Sequence, residues 1–180
     1  MKTFAPALAA LALAATASQA PAALAIGMRA PSFSTQAAVG GRPFAFDLQA
    51  ALARGPVVLY FFPAAFTPGC TLEAHAFAEA ADEFNQLGAT VVGLSADPID
   101  KLQRFSVEEC RNKFAVGTAT PQVIGSFDVV LPQRNTLSNR TSYVIAPDGK
   151  IIYVHSDMSP AGHITGTLAA VRDWRAAHPR

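Results

Sequence analysis

The sequence predicts an α/β domain in which a central mixed β-sheet is flanked by helices. Residues 57–62 form a continuous apolar run rich in β-branched and aromatic side chains, and an amphipathic helix pattern follows it. A second run of this kind, at residues 91–94, also precedes a helix pattern. This alternation implies parallel strands, and a hairpin signal near the end of the chain adds antiparallel ones.

The first strand ends at Pro63, and a helix is predicted from Thr71 to Leu87. Apolar residues recur there at helical spacing, charged residues lie between them, and Gly88 follows the last periodic position. The predicted apolar positions are Leu72, Ala76, Phe77, Ala80, Phe84 and Leu87, and the intervening charged ones are Glu73, Glu79, Asp82 and Glu83.

The second half of the chain completes the pattern. Asp97-Pro98 is typical of a helix start, and Leu102, Phe105 and Val107 carry that helix towards Cys110. Strands at 141–146 and 151–155 flank the turn Pro147-Asp148-Gly149-Lys150. A last helix is predicted over 163–177, with Leu168, Val171 and Trp174 on one face.

The N-terminus has the composition of a signal peptide. Residues 1–25 are rich in alanine and leucine and contain one charged side chain, Lys2. Polar residues interrupt the run, so it falls short of the ~20 apolar residues of a membrane span. We expect cleavage before Ile26, although the small residues also permit a cut before Ser18. The alternative is an amphipathic terminus that stays attached.

These features predict a signal peptide at 1–25 and a single domain at 26–180, exported to the periplasm or secreted. Without Lys2 the mature chain has thirteen basic and thirteen acidic residues. A mature chain with no net charge and no basic runs has no positively charged surface to predict binding to nucleic acid. The same holds for binding to a membrane after processing. His155, His163 and His178 have no metal-ligand spacing, so we expect no metal and no cofactor. A small-molecule site is the remaining expectation.

Cys70 lies where the first strand has ended and the helix begins. Unpaired backbone N–H groups and a partial positive charge at a helix N-terminus favour a thiolate, which is the nucleophilic form. Thr67 lies one turn before the sulfur and can reach it or a bound substrate. Two other interpretations stay open at this point. Cys70 can be an inert buried cysteine, or it can form a structural disulfide with Cys110.

Residues 60–73, YFFPAAFTPGCTLE, resemble the peroxidatic-cysteine segment of peroxiredoxins, and the PrxQ (bacterioferritin comigratory protein) branch in particular. The family motif Pro-x-x-x-Thr-x-x-Cys is matched by Pro63, Thr67 and Cys70. Residues 140–149 resemble the arginine-bearing strand and turn of the family, and residues 30–33 resemble its Ala-Pro-x-Phe opening. The resemblance covers roughly residues 27–175 and implies a thioredoxin-like fold.

The resemblance implies that Cys70 is the nucleophile of a thiol peroxidase that reduces hydrogen peroxide and organic hydroperoxides. Thr67 and Arg140 would arrange the peroxide, and Pro63 would shield the site. Glu73 would orient Arg140, although an ordinary carboxylate in the first helical turn is nearly as good an interpretation. The implied partners are a peroxide and a thioredoxin-like or other thiol reductant, and the implied state is a monomer.

The sequence departs from the family pattern in two places. Residues 114–121 lack the strand sequence usual in relatives, and His75, expected on an exposed helix face, stands where many PrxQ proteins carry a resolving cysteine. Cys110 is therefore the candidate resolver, with structural partner and bystander as alternatives. Two other functions stay open, a thioredoxin-like disulfide exchange protein and an inactive domain with a permanent disulfide. The former normally needs Cys-x-x-Cys, and Thr67 occupies the partner position of Cys70.

Overall fold

A computed structural model describes residues 23–179 of the protein. The signal peptide predicted at 1–25 lies outside the described residues, except for residues 23–25. The elements, in chain order, are β1 (Ser34–Val39), β2 (Arg42–Asp47), α1 (Leu48–Leu52), β3 (Val57–Phe61), α2 (Pro68–Gln86), β4 (Thr90–Ser95), α3 (Ile99–Glu108), β5 (Ala115–Thr118), α4 (Pro121–Ser126), β6 (Val130–Leu131), β7 (Arg134–Ser138), β8 (Thr141–Ile145), β9 (Ile151–Ser156) and α5 (His163–Ala177).

Seven of the strands form one mixed sheet in the order β2-β1-β5-β4-β3-β8-β9. The central strands β3, β4 and β5 run parallel, as the strand-helix alternation predicts, and the outer pairs are antiparallel. The hairpin β8–β9 and the helix α5 are confirmed where the sequence predicts them. The predicted mixed sheet flanked by helices is therefore confirmed.

Helices cover both faces of the sheet, and the residues of β3 alternate between the two cores. Val57, Leu59 and Phe61 face one core, to which α1 and α4 contribute. Val58 and Tyr60, with Phe62 just after the strand, face the other core, to which α2, α3 and α5 contribute. Burial on both faces explains why β3 is a continuous apolar run rather than an alternating one.

The buried face of α2 differs from the predicted one in two adjacent residues. Leu72, predicted to face the core, is 61% exposed, and Glu73, predicted to lie between the apolar positions, is only 1% exposed. The helix also begins at Pro68, three residues before the predicted start. The prediction was wrong at these positions because Glu73 has a cationic partner inside the protein, and a hydrophobicity pattern carries no such information.

The register between β3 and β8 sets up the site. Tyr60 pairs with Ser142 and Phe61 pairs with Thr141, so the start of β8 lies beside the carboxyl end of β3. Arg140, immediately before β8, is thereby brought to the edge of the sheet where β3 ends and α2 begins. At the same level Gly93 on β4 makes room for the Tyr60 ring, because a Cβ there would lie 2.5 Å from it.

Several elements were not predicted, and α3 ends earlier than expected. The hairpin β1–β2, the strand β5, the short helices α1 and α4 and the two-stranded sheet β6–β7 carry no strong periodicity. Helix α3 starts at Ile99 after Pro98 and ends at Glu108, so Cys110 lies beyond it. Of the three apolar residues placed on this helix, Leu102 and Phe105 are buried and Val107 is 43% exposed.

The described start of the chain packs on the domain. The backbone N–H of Leu24 donates a hydrogen bond to the Tyr143 hydroxyl at 3.1 Å. Ala23 and Leu24 also contact the core beneath α1 and α4. Within residues 23–179, none of the helices has the length and hydrophobicity that crossing a membrane requires.

Candidate active site

Cys70 lies in the first turn of α2, at the end of a sharply turning loop. Phe66 in this loop has a φ of 67°, a left-handed conformation that is rare for an aromatic residue. The backbone N–H of Ala65 donates to the Asp97 carboxylate at 2.7 Å, which ties the loop to the end of β4. The Phe66 ring also packs edge-on against Phe105 of α3. These contacts fix the turn that delivers Cys70 to the helix start.

The two residues before Cys70 shape its surroundings. Pro68 occupies the first helical turn, where its missing N–H costs no hydrogen bond. Gly69 clears space for a guanidinium, because a Cβ there would lie 3.1 Å from Nη2 of Arg140. Cys70 itself is 2% exposed. The thiol is therefore almost enclosed, with a cation on one side.

The cation is Arg140, which is 4% exposed and uses all three guanidinium nitrogens. Nη2 donates to Sγ of Cys70 at 3.4 Å, and Nε donates to the carbonyl of Met158 at 3.0 Å. Nη1 donates to Oε2 of Glu73, one turn further along α2. A buried guanidinium at this distance stabilises negative charge that develops at Sγ.

Buried hydrogen bonds hold the segment that carries Arg140. The Ser138 hydroxyl donates to the carbonyl of Phe62 at 2.9 Å, which joins the segment to the end of β3. The Thr141 hydroxyl donates to the side-chain carbonyl of Asn139 at 2.7 Å. Because these bonds lie on both sides of Arg140, its backbone is fixed relative to Cys70.

Glu73 is a buried carboxyl group beside Arg140. Burial raises the pKa of Glu73 to about 8, and the charge and hydrogen bond of Arg140 only partly oppose this effect. Its Oε1 atom has no hydrogen-bond partner within residues 23–179. The predicted pairing of Glu73 with Arg140 is therefore present, in a carboxyl group that holds its proton unusually strongly.

The other two residues predicted for the site lie on its solvent side. Pro63 is half-buried directly after Phe62, and Thr67 is exposed as the N-cap residue of α2. The Thr67 hydroxyl donates to the carbonyl of Ala64 at 2.9 Å rather than to the sulfur. The structure thus brings Cys70, Arg140 and Glu73 into contact and places Thr67 and Pro63 at the rim.

Cys110 is a second buried thiol on the same side of the sheet. It is fully buried, and neither cysteine is in a disulfide. Burial, and secondarily the charge of Glu109, raises the pKa of Cys110 well above its usual range. Cys70 and Cys110 both line the core beneath α2 and α3. The two thiols therefore differ in chemistry, one beside a cation and the other in an apolar enclosure.

A histidine–carboxylate hydrogen bond and two ion pairs hold the segment around Cys110, residues 109–113, against α2. Their α2 members, His75, Glu79 and Asp82, lie at helical spacing along one face. The pairs are His75–Glu109 at 2.7 Å, Glu79–Arg111 at 3.4 Å and Asp82–Lys113 at 2.9 Å. His75, expected as an exposed helix residue, is instead half-buried in the first of these pairs. Nothing in the sequence of α2 alone indicates this role.

Tyr60, Ser142 and His163 are buried polar residues of the site that the sequence analysis did not select. The Tyr60 hydroxyl has no hydrogen-bond partner within the described residues. Burial raises the pKa of Tyr60 well above its usual range, and the charges of Cys110, Glu73 and Cys70 add to the effect. Tyr60 therefore lies within electrostatic reach of both thiols. Such residues lie within the sequence patterns of apolar strands and helices. A single polar residue in such a pattern does not indicate that it is part of a functional site.

No group of three or more His, Cys, Asp or Glu side chains within residues 23–179 is arranged to hold a metal ion. Cys70, Arg140 and Glu73 provide the site with a thiol, a guanidinium and a carboxyl group.

Known proteins have sequences similar to that of this chain. The sequence profile of the AhpC/TSA family matches residues 26–154. A putative peroxiredoxin of Mycobacterium tuberculosis is 37% identical over 128 residues, which is 68% of this chain and 81% of that relative. Peroxiredoxin Bcp of Escherichia coli is 34% identical over 112 residues, which is 59% of this chain and 72% of that relative.

A solved structure agrees with the sequence relatives. The crystal structure of the peroxidoxin BcpB from Mycobacterium tuberculosis is similar to this chain, with a TM-score of 0.71 and 35% sequence identity. The superposition covers 82% of this chain and 96% of that one. The predicted thioredoxin-like fold and the resemblance to the PrxQ/Bcp branch are confirmed.

The raised pKa of Glu73 predicts a pH-dependent stability. Between its ordinary value of 4.5 and about 8, the folded protein keeps a proton that the unfolded chain releases. The contribution of protonated Glu73 to the free energy of unfolding is therefore at its full value below pH 4.5. This contribution is lost as the pH rises through about 8. Relative to Glu73→Gln, the free energy of unfolding of the wild type should fall by roughly 1 kcal/mol per pH unit across this window.

Urea unfolding of the reduced proteins at several pH values measures this difference. Glu79→Gln removes an exposed carboxylate from the same helix and serves as the control, with a profile parallel to that of the wild type. Parallel profiles for the wild type and Glu73→Gln would show that Glu73 ionises normally.

Proposed function

The chain belongs to the AhpC/TSA family of thiol-dependent peroxidases, in its PrxQ/Bcp branch, and we propose that its reaction begins with the Cys70 thiolate attacking the O–O bond of a peroxide. The terminal oxygen joins the sulfur to give a sulfenic acid, and the O–O bond breaks. The leaving oxygen takes the electron pair and a proton, so the product is water or an alcohol. The sulfur is oxidised and the peroxide is reduced.

The contact between Nη2 of Arg140 and Sγ of Cys70 carries this assignment. A guanidinium at 3.4 Å from the sulfur stabilises the nucleophilic thiolate without acting as a base. The same charge stabilises the negative charge that develops on the leaving oxygen, and this interaction is stronger in the transition state than in the ground state. Gly69 supports the contact because the Cβ of any larger residue would lie 3.1 Å from Nη2 of Arg140 and press against the guanidinium.

The roles of the other predicted site residues follow from their positions. Thr67, at the rim, would turn its hydroxyl from Ala64 to a bound peroxide, and Pro63 would limit the access of water. Glu73 holds one edge of the guanidinium, so its proposed role is to orient Arg140. The substrates proposed are hydrogen peroxide and organic hydroperoxides.

Replacing Cys70 by Ser should abolish peroxide consumption, because the serine hydroxyl stays un-ionised at neutral pH. The assay follows peroxide loss with dithiothreitol as the reductant, and circular dichroism checks that the variant is folded. Cys110→Ser, which removes the other buried thiol, is the matched control and should still consume peroxide with this small reductant. Turnover by Cys70→Ser at the wild-type rate would contradict the assignment.

The second proposed step is the attack of Cys110 on the sulfenic acid of Cys70. A disulfide forms, and the sulfenic oxygen leaves as water. An external dithiol then reduces the disulfide and is itself oxidised. Both thiols are free in the structure, which supports a disulfide that forms during the cycle over a permanent one.

This step needs movement of Cys110. In its buried position the raised pKa keeps the thiol protonated, so it is a poor nucleophile until it leaves the core. The segment that carries it is suited to release. Arg111 and Asn112 are consecutive left-handed residues, with φ of 52° and 60°, and exposed ion pairs at Arg111 and Lys113 hold the turn to α2. Exposed ion pairs of this kind contribute only ~0–1 kcal/mol each.

When the reduced wild type consumes one equivalent of peroxide, it should lose two free thiols. A disulfide should then join the peptides that contain Cys70 and Cys110. In Cys110→Ser the first oxidation should keep a near-normal rate but leave a sulfenic acid that dimedone labels, with faster over-oxidation. Cys70→Ser should give no dimedone adduct. A wild type that shows the adduct and no internal cross-link would make Cys110 a bystander.

The physiological reductant is proposed to be a thioredoxin-like or other thiol donor in the compartment of the enzyme. We further propose that the protein is exported to the periplasm or secreted and acts as a monomer. The contact between Leu24 and Tyr143 supports cleavage before Ser18 over cleavage before Ile26, because the later cut would remove a residue that packs on the domain.

Expression of the full chain in a bacterial host tests this proposal. The protein should be recovered outside the cytoplasm with an intact mass that corresponds to a start at Ser18, and it should sediment as a monomer. A chain of unprocessed mass in the cytoplasm would contradict export, and a mature start at Ile26 would contradict the packing argument.

A further inference from the structure

The hydrogen bond between His75 and Glu109 differs from the two exposed ion pairs beside it. Nε2 of His75 lies 2.7 Å from Oε2 of Glu109, and the two side chains are 33% and 20% exposed. A carboxylate only accepts hydrogen bonds, so Nε2 carries the hydrogen and donates it. Because the contact is partly buried, water and dissolved ions weaken it less than they weaken an exposed pair.

Glu109 and Cys110, which follow each other directly, are joined to the same backbone carbonyl. The N–H groups of both residues donate to the carbonyl of Phe105, each at 3.0 Å. Phe105 is itself fixed, because its ring is fully buried and packs against Phe62 and Phe66 of the loop after β3. Movement of Cys110 out of the core therefore requires movement of Glu109 as well.

The end of α3 lacks a cation of its own. The last helical residue, Glu108, and Glu109 after it are both acidic, and the last turn contains no basic residue. The partial negative charge at a helix C-terminus disfavours carboxylates and favours cations. A protonated His75 supplies positive charge from α2, at the residue next to Cys110.

The other charged side chains near this contact are paired with one another. These pairs are Glu108 with Arg104, Glu79 with Arg111, and Asp82 with Lys113. All three are exposed. Among the side-chain types present, only histidine ordinarily changes its charge between pH 5 and pH 8. The contact of His75 is therefore the one in this row whose strength we expect to depend on pH near neutrality.

We propose that His75 is a positioning residue for the resolving step, whose hydrogen bond to Glu109 holds Cys110 in its buried position and limits the release of that thiol. The proposal rests on the role proposed for Cys110. The contact is strongest when the imidazole is protonated, since a charged donor binds a carboxylate more tightly than a neutral one. Release of Cys110 is therefore hindered most at the acid end of this pH range.

Labelling of Cys110 by the thiol reagent DTNB, in a Cys70→Ser background, measures this release directly. His75→Ala removes the hydrogen bond and preserves the helix, because alanine is the best helix former. Labelling should become about threefold to tenfold faster, as expected for the loss of one partly buried charged contact at a helix end. An unchanged or slower rate would overturn the proposal.

A double-mutant cycle separates this contact from a general loosening of α2. In a Glu109→Gln background no charged contact remains to be lost, so His75→Ala should change the labelling rate by less than about twofold. Glu108→Gln is the matched control, since it removes the adjacent carboxylate, whose partner lies on its own helix. There the full effect of His75→Ala should remain. Equal acceleration in the two backgrounds would overturn the proposal.

The pH dependence of labelling is a readout that a merely structural role would not change. His75→Gln keeps a neutral donor in place of the imidazole. The ratio of its labelling rate to that of the parent should therefore rise by about threefold or more as the pH falls from 8 to 5.5. The ionisation of Cys110 itself affects both proteins and cancels in the ratio. A ratio that stays constant over this range would overturn the proposal.

The rate of disulfide formation after one equivalent of peroxide completes the test in proteins with both cysteines. Acid quenching and intact-mass analysis separate the sulfenic acid, which has gained an oxygen, from the disulfide, which has lost two hydrogens. His75→Ala should accelerate the second step by about the same factor as the labelling. Failure of Cys70 to form a sulfenic acid would contradict the proposed function. Normal oxidation of Cys70 with a disulfide that forms no faster would overturn the role of His75 alone.

Discussion

A single buried guanidinium organises the site of this protein. Arg140 is nearly enclosed, so each of its nitrogens needs an acceptor, and the three acceptors come from different parts of the chain: the start of α2, the next turn of the same helix and the loop after β9. A buried charge without partners is far more costly than a lost hydrophobic contact. The cation therefore binds the helix, the sheet edge and the loop into one unit around the sulfur.

The fold separates two thiols of different character within one apolar core. Cys70 sits at a helix start beside a cation, and Cys110 sits in an apolar enclosure behind the end of α3. The first environment favours an anion and the second suppresses it. With the roles proposed for the two residues, oxidation of Cys110 in place of Cys70 is thereby disfavoured by position alone, although both side chains are cysteines. The different properties of the two thiols therefore come from how each is packed and not from the residue type.

The sequence was sufficient to predict the parts of the fold with strong periodicity, namely β3, β4, α2, α5 and the hairpin β8–β9. It missed β1 and β5, which consist mostly of small and polar residues, and it missed β2, in which only Phe46 is buried. It identified Cys70 and Arg140 through the family resemblance, but it could not show that Glu73 is buried. Burial of a carboxyl group is decided by a partner 67 positions away. The position of His163 beside Glu73 was missed for the same reason, because a tertiary contact alone brings the two residues together.

The row of ion pairs along α2 links the chemistry to the surrounding solution. The pairs at Glu79 and Asp82 are exposed at both ends, so dissolved ions screen them, with a Debye length of about 8 Å at physiological ionic strength. Salt weakens the hold on residues 109–113 but leaves the buried contacts of Arg140 almost untouched. Ionic strength thus acts selectively on the segment that carries Cys110. With the role proposed for Cys110, the balance between reduction of the oxidised sulfur and its irreversible over-oxidation becomes a property of the solution as well as of the protein.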